Sequence, residues 1–254
     1  MVSNLFDVTG KCAIVTGGAQ GLSLGMAEAL LEAGCKVVMM DIQKDKLEAA
    51  VAENVAKGYE AFAVSGDLTK PEEIDRMFGE AMQFLGGRLD VLIPAAGVQR
   101  RHPPELFPRE DWELVINVNL NHVWFMCQKA VQVMIKQPTG GKIIIISSLL
   151  AFFGGTCIPA YTATKGAVAQ LAKSLASDCA DKNININAIA PGYMETEMTA
   201  NMTDARKAEV SARIPAGRWG TTQDMKGPVL FLASSASDYI NGAILPVDGG
   251  YLVK

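Results

Sequence analysis

Apolar residues in this chain gather in short runs, and longer amphipathic stretches separate them at regular intervals. Cys12-Ala13-Ile14-Val15-Thr16, Lys36 to Asp41, Phe62-Ala63-Val64, Asp90-Val91-Leu92-Ile93, Ile143-Ile144-Ile145-Ile146, Asn185 to Ile189 and Ala243 to Val247 are too short for helices. Such runs read as strands, the continuous ones buried on both faces. Between them, Met26 to Ala33, a stretch opening at Pro71-Glu72-Glu73, Asp111 to Lys136, Tyr161 to about Ala180 and Thr222 to Ser234 carry helical patterns. About seven strands alternating with helices predict an α/β fold, a doubly wound parallel sheet with helices on both faces and ligands at the carboxyl ends of the strands. No linker, repeat or low-complexity tract divides residues 1–254, so a single domain is expected to hold every ligand. One polar, Met-rich stretch, 193–213, interrupts the alternation after a strand exit and suits a substrate lid.

The strand exits carry the candidate chemistry. After the first strand comes Gly17-Gly18-Ala19-Gln20-Gly21-Leu22-Ser23-Leu24-Gly25, then a helix. Glycines let a backbone approach a pyrophosphate, and a helix start offers free N–H groups, so this order predicts a Rossmann-type dinucleotide cradle. A merely flexible loop is the plainer reading of the same glycines. Asp41 ends the second strand 24 residues past Gly17, close to the ~20 expected for the carboxylate that takes the adenosine ribose hydroxyls. That favours NAD over NADP, because a 2′-phosphate would meet like charge and neither Met40 nor Ile42 supplies an arginine clamp. Lys44 and Lys46 read as a solvated helix surface or as a phosphate contact. Asp67, with Leu68 at the third exit, is either a cap for the helix at Pro71 or a neighbour of the adenine ring. Pro94-Ala95-Ala96-Gly97 leaves room at the fourth exit. Asn117 and Asn119 lie in an apolar helical stretch, where a polar side chain requires a partner.

Ser148 follows the isoleucine run, so a strand would deliver its hydroxyl to the carboxyl edge. Downstream, Tyr161 and Lys165 stand one helical turn apart on one face. A nearby ammonium favours the phenolate, so the expectation is a tyrosine shifted down from its usual pKa of about 10 and able to exchange a proton with a substrate oxygen held by Ser148. A Tyr and a Lys at this spacing also fit an ordinary core helix. The other exits give the pair its meaning.

Composition narrows the classes. The 254 residues are 49% hydrophobic, ample for one core, and the net charge of −4 with scattered Lys and Arg argues against a nucleic-acid partner. Five cysteines without a C-x-x-C pair suit a reducing compartment. Met1 to Gly10 has no signal pattern and no apolar run approaches membrane-spanning length, so a cytoplasmic protein with no membrane partner is expected. His102 and His122 are isolated, without metal-ligand spacing, and are assigned no chemistry; no metal is expected.

Thr16-Gly17 with Gly21, Ala96-Gly97, Asn117-Val118-Asn119, Ser148, Tyr161 with Lys165, and Pro191-Gly192 with Thr196 stand in the order and spacing of the short-chain dehydrogenase/reductase family, which the chain resembles over nearly its whole length. The resemblance implies an NAD(P)-dependent oxidoreductase moving hydride between nicotinamide and a secondary alcohol or ketone. It implies Tyr161 as general acid/base, Lys165 as its cationic partner and a ribose ligand, Ser148 on the substrate oxygen, and Asn119 as anchor of a proton-relay water. The cofactor would lie against Gly17, Gln20, Gly21, Leu22, Asp41, Asp67, Leu68, Ala95, Ala96, Gly97, Tyr161, Lys165, Pro191, Gly192, Met194 and Thr196, with Ile189 also at the nicotinamide end. A homotetramer is implied as well, through the Asp111 and Tyr161 helices.

The chain departs from the family pattern twice. Ser23 replaces a glycine, which crowds the turn or places a hydroxyl on a phosphate, with Gly25 as a neighbour able to relieve the crowding. Pro94-Ala95 replaces two asparagines, which removes side-chain amides that tie that exit to its neighbours. Within the family the likeness is closer to sugar-acid dehydrogenases of the gluconate and 2-dehydro-3-deoxy-gluconate type, through 97–101, 214–220 and 227–250. Arg100 and Arg101 would then join Ser148 and Tyr161 at the substrate, an arginine fork suiting its carboxylate, or else be solvated loop cations or subunit contacts. A reductase of another ketone, and a dinucleotide-binding regulatory protein without turnover, remain alternatives. A purely structural interaction protein finds little support in a single domain.

Overall fold

Parallel neighbours cannot be joined by a tight turn, so each strand must be followed by a crossover long enough to return to the starting edge. Helices supply it here. The computed structural model describes residues 2–200 and 202–254. Its strands are β1 Cys12–Thr16, β2 Lys36–Asp41, β3 Ala61–Ser65, β4 Val91–Pro94, β5 Gly141–Ile146, β6 Ile184–Pro191 and β7 Ile244–Val247. They form one seven-stranded sheet in the order β3-β2-β1-β4-β5-β6-β7, parallel throughout.

The helices are α1 Gly21–Glu32, α2 Lys44–Ala56, α3 Pro71–Phe84, α4 Arg109–Ile116, α5 His122–Met134, α6 Pro159–Cys179, α7 Glu197–Ala200, α8 Asp204–Ala212 and α9 Thr222–Ala233. Alternate strand residues feed two cores. Ile143 and Ile145 join Ile74 and Phe78 of α3, Met126 of α5 and Val168 of α6 on one face. Ile144 and Ile146 join Met26 and Leu30 of α1, Leu47 of α2 and Val229 of α9 on the other. This is why the strands read as unbroken apolar runs. β1 leads to α1 on the second face, whereas β4 leads to α5 on the first. The switch opens a crevice between the exits of β1 and β4.

Two segments depart from the sequence expectation. The helix expected over Asp111 to Lys136 begins at Arg109 and is broken, because a π-helical turn at Asn117–Asn121 separates α4 from α5. The stretch 193–213 is not simply a polar loop. It contains α7 and α8, and a small third core of Leu149, Val210, Ile214 and Tyr251 packs α8 against the residue after Ser148. Among the described residues no helix is long and apolar enough to cross a membrane, and no three potential metal ligands come together.

Gly25 marks where α1 meets α9, since a β-carbon there would lie 2.7 Å from Cβ of Thr222. Thr221 and Asp224 form a capping box that fixes the start of α9, so the helix cannot easily retreat. Gly25→Leu is therefore expected to lower stability by about 1–3 kcal/mol through overpacking, read as a lower denaturation midpoint with an unchanged slope in urea.

Candidate active site

The cradle forms as the glycines require. Gly17 and Gly21 have φ of 74° and 63°, where a side chain is strained. A β-carbon on Gly17 would stand 2.9 Å from Cα of Ala96, so the exits of β1 and β4 touch backbone to backbone. Gln20 precedes α1 in extended conformation and its side chain does not cap the helix, which leaves the first N–H groups directed at a ligand. Nothing lies within 4 Å of the β-carbon position of Gly21. An open turn with uncapped N–H groups fits the pyrophosphate of a dinucleotide. Ser23 is accommodated, its Oγ 3.2 Å from the β-carbon position of Gly17.

Asp41 reaches back to this turn. One carboxylate oxygen accepts the Ala19 N–H at 3.2 Å and the other the Gln43 N–H at 2.9 Å. A carboxylate offers about four acceptor positions, so hydroxyl groups of a ribose can still bind. Asp67 is not the cap of α3, whose N-cap is Lys70. It accepts from the backbone and hydroxyl of Thr69, at 2.9 and 2.7 Å, and so shapes the turn before the helix. Leu68 beside it is buried in the core.

The remaining predicted groups meet at β4, β5 and α6. Lys165 is 5% exposed, and its Nζ donates to the Ile146 carbonyl at 2.8 Å while lying 5.4 Å from the centroid of the Tyr161 ring. Ser148, at the exit of β5, accepts the Leu150 N–H at 3.2 Å, and its hydroxyl acts to lower the Tyr161 pKa. Gly97 faces the pair from the opposite side. Its β-carbon position is 3.5 Å from Oδ1 of Asn119 and 3.9 Å from Nζ of Lys165. The Asn119 amide clasps Val98, accepting its N–H at 2.8 Å and donating to its carbonyl at 2.9 Å. Here lies the partner that an asparagine in an apolar helix needed.

At the nicotinamide side of the expected site, β6 ends at Pro191, and Gly192 passes so close to Asp248 that a β-carbon would be 2.7 Å from its Cα. Met194 bridges to Gly220, and Thr199 ties Met194 and Thr196 into one turn. Arg100 and Arg101 are less free than a fork waiting for a carboxylate. Arg100 donates to Asp111 at 3.0 Å, and Asp111 also takes His102 at 2.6 Å. Arg101 donates to the Thr156 carbonyl at 2.8 Å, in the loop joining Ser148 to Tyr161.

Residues 17–252 match the family model described as Enoyl-(Acyl carrier protein) reductase. The chain is 42% identical to the 2-dehydro-3-deoxy-D-gluconate 5-dehydrogenase of Escherichia coli (strain K12) over 100% of both chains. It is 43% identical to the enzyme of the same name from Bacillus subtilis (strain 168), over 98% of this chain and 97% of that one. A crystal structure of a gluconate 5-dehydrogenase from Burkholderia cenocepacia J2315, in complex with NADP and tartrate, superposes with a TM-score of 0.95 at 34% identity, covering 100% of each chain. The chain belongs to the short-chain dehydrogenase/reductase family.

As a short-chain dehydrogenase/reductase it is an NAD(P)-dependent oxidoreductase acting on hydroxyl and keto groups. The electrostatics of its tyrosine differ from the sequence expectation. Burial pushes the Tyr161 phenol up to about 12, opposed by the Ser148 hydroxyl, although part of the side chain reaches the surface. Burial also holds the Lys165 ammonium down to about 8. The expected downward shift by the lysine is overridden because the low-dielectric surroundings disfavour both charged forms.

Sequence reasoning missed Thr164, which receives a 3.4 Å contact from the Asn119 amide, and the π-helical turn. It also missed His122, fully buried and bonded at both ring nitrogens. The signal was present in the polar run Asn117, Asn119, Asn121, His122 inside an apolar stretch.

The phenol position sets a pH dependence with a definite sign. With its pKa raised, Tyr161 keeps its proton well above pH 7, so reduction retains its proton donor while oxidation lacks its base. Oxidation rates are expected to climb from pH 7 to pH 10 and reduction rates to hold over the same range. Parallel pH profiles of the two directions check it.

Proposed function

We propose that the enzyme interconverts a hydroxyl and a keto group on a sugar acid of the gluconate or 2-dehydro-3-deoxy-gluconate type. Full-length identity of 42% to a dehydrogenase of that class carries the substrate reading. The convergence of Ser148, Tyr161 and Lys165 opposite Gly97 and Asn119 supports the roles. Gly17, Gln20, Gly21, Leu22 and Asp41 hold the adenosine and pyrophosphate, beside Asp67 and Leu68. Ala95, Ala96, Gly97, Lys165, Pro191, Gly192, Met194 and Thr196 line the nicotinamide end. When bound, the dinucleotide accepts or donates hydride.

In oxidation Ser148 holds the substrate hydroxyl and Tyr161, as phenolate, takes its proton; in reduction the phenol returns it. Lys165 favours the charged phenolate, and Asn119 anchors the path by which a proton reaches water. Arg101, attached to the Ser148–Tyr161 loop, is better placed than Arg100 for the substrate carboxylate, since Asp111 already occupies the Arg100 fork. Segment 193–213 forms the lid. Its α8 is seated on Leu149, next to Ser148, which supports that role.

Asp41 supports NAD as the preferred dinucleotide. A second reading has an observation of its own: Lys46 donates to Gln20 of the cradle at 2.7 Å, which brings a cation to this turn, and the solved relative holds NADP. Trp112, Trp124 and Ile135, exposed on α4, on α5 and just beyond it, support burial of that face in a homotetramer. Five free thiols suit the cytoplasm.

Purified enzyme offered NAD and NADP against D-gluconate, 2-dehydro-3-deoxy-gluconate and simple alcohols, with the corresponding ketones for the reverse direction, is expected to turn over a sugar acid with NAD. Turnover of simple substrates alone overturns the sugar-acid reading, and a preference for NADP overturns the Asp41 argument. Tyr161→Phe should lower turnover ~10²- to 10⁴-fold while dinucleotide binding persists. Light scattering is expected to give four subunits, and a monomer contradicts the assembly.

A further inference from the structure

His122 has none of its surface exposed, and the chemistry above does not call on it. Both ring nitrogens are nevertheless engaged. Nδ1 faces the carbonyl of Val118, in the π-helical turn, and Nε2 lies 3.2 Å from Oγ1 of Thr16, the last residue of β1. A carbonyl only accepts, so Nδ1 carries the proton and Nε2 accepts from the Thr16 hydroxyl. The same Oγ1 accepts the Ala96 N–H at 3.0 Å. One tautomer thus completes a chain from Ala96 through Thr16 and His122 to Val118.

Each link adjoins a working part of the site. Thr16 precedes Gly17 of the cradle. Ala96 precedes Gly97, which faces Lys165 and Asn119. Val118 precedes Asn119, whose amide clasps Val98. Pro94 and Ala95 bring no side-chain hydrogen-bonding group to this exit. Two anchors therefore hold it, Thr16 at Ala96 and Asn119 at Val98, and His122 bonds to the first anchor itself and to Val118, the residue before the second.

We propose that His122 is a positioning residue: its neutral Nδ1–H imidazole spaces the dinucleotide cradle from the Asn119–Val98 clasp, fixing both relative to Tyr161 and Lys165. The inference rests on the proton-transfer role of Tyr161 stated above. A charged ring could not accept from Thr16, and burial holds the ring pKa down to about 4, with the Lys165 charge acting in the same direction.

The chain has two histidines, so ¹⁵N-histidine NMR of the intact enzyme can follow His122 without crowding. The neutral Nδ1–H tautomer should persist from pH 8 to pH 5. A dominant Nε2–H tautomer, or titration near the ordinary histidine value, overturns the proposal. His122→Leu should lower kcat roughly 10- to 100-fold and raise the dinucleotide KM while the melting temperature shows a folded protein. His122→Gln, whose amide oxygen can accept from Thr16, should recover most of the loss. Full turnover in folded His122→Leu overturns the inference. If the leucine variant does not fold, Thr16→Val breaks the same chain one link away, and full turnover there is equally decisive against it. Tyr161→Phe measured alongside separates the two readings. An inactive Tyr161→Phe with an active His122→Leu removes only this inference, whereas an active Tyr161→Phe removes the assignment beneath it.

Discussion

The site depends on one backbone contact, the passage of Gly17 against Ala96 where β1 and β4 leave the sheet. Parallel strands force both chains to exit at the same edge, and their helices then go to opposite faces. A crevice opens only if the two exits diverge from a point of contact. A β-carbon on Gly17 would stand 2.9 Å from Cα of Ala96, so a larger residue would push the exits apart. From this contact the cradle turns toward α1 and the Ala96-Gly97 segment toward Lys165. Cofactor and proton chemistry share a wall because the strands do.

The polar groups behind that wall are buried at some energetic cost, and their arrangement shows how the cost is limited. Lys165 gives a hydrogen bond to the Ile146 carbonyl, Asn119 satisfies both polar groups of Val98, and His122 is neutral with both nitrogens bonded. A buried donor or acceptor left unpaired costs about 1–3 kcal/mol, so a network in which each member has a partner holds one geometry firmly. The phenol and the ammonium are both moved toward their uncharged forms by the same surroundings. The phenol therefore keeps its proton at neutral pH and stands as a donor, and oxidation requires that proton to leave first.

The π-helical turn belongs to the same logic. An unbroken helix from Arg109 to Met134 would carry Asn119 past Val98 at a different angle. The extra residue in the turn aims the amide at the β4 exit. π-turns weaken backbone hydrogen bonding and persist where side-chain contacts offset the loss, which happens here through Asn119 and His122.

The sequence by itself determined the strands, their alternation with helices, the glycine turn and the spacing of Ser148, Tyr161 and Lys165. These follow from local rules: two-face burial makes apolar runs, left-handed backbone calls for glycine, and residues four apart share a helix face. It did not reveal the π-helical turn, the packing of α8 on Leu149, the commitment of Arg100 to Asp111, or the upward shift of the Tyr161 phenol. His122 read as an isolated residue because its partner Thr16 lies in the first strand and its neighbour Lys165 in a later helix. Contacts between residues so distant along the chain leave no periodic signal, and the dielectric around a phenol depends on everything packed against it. Only the folded chain sets them.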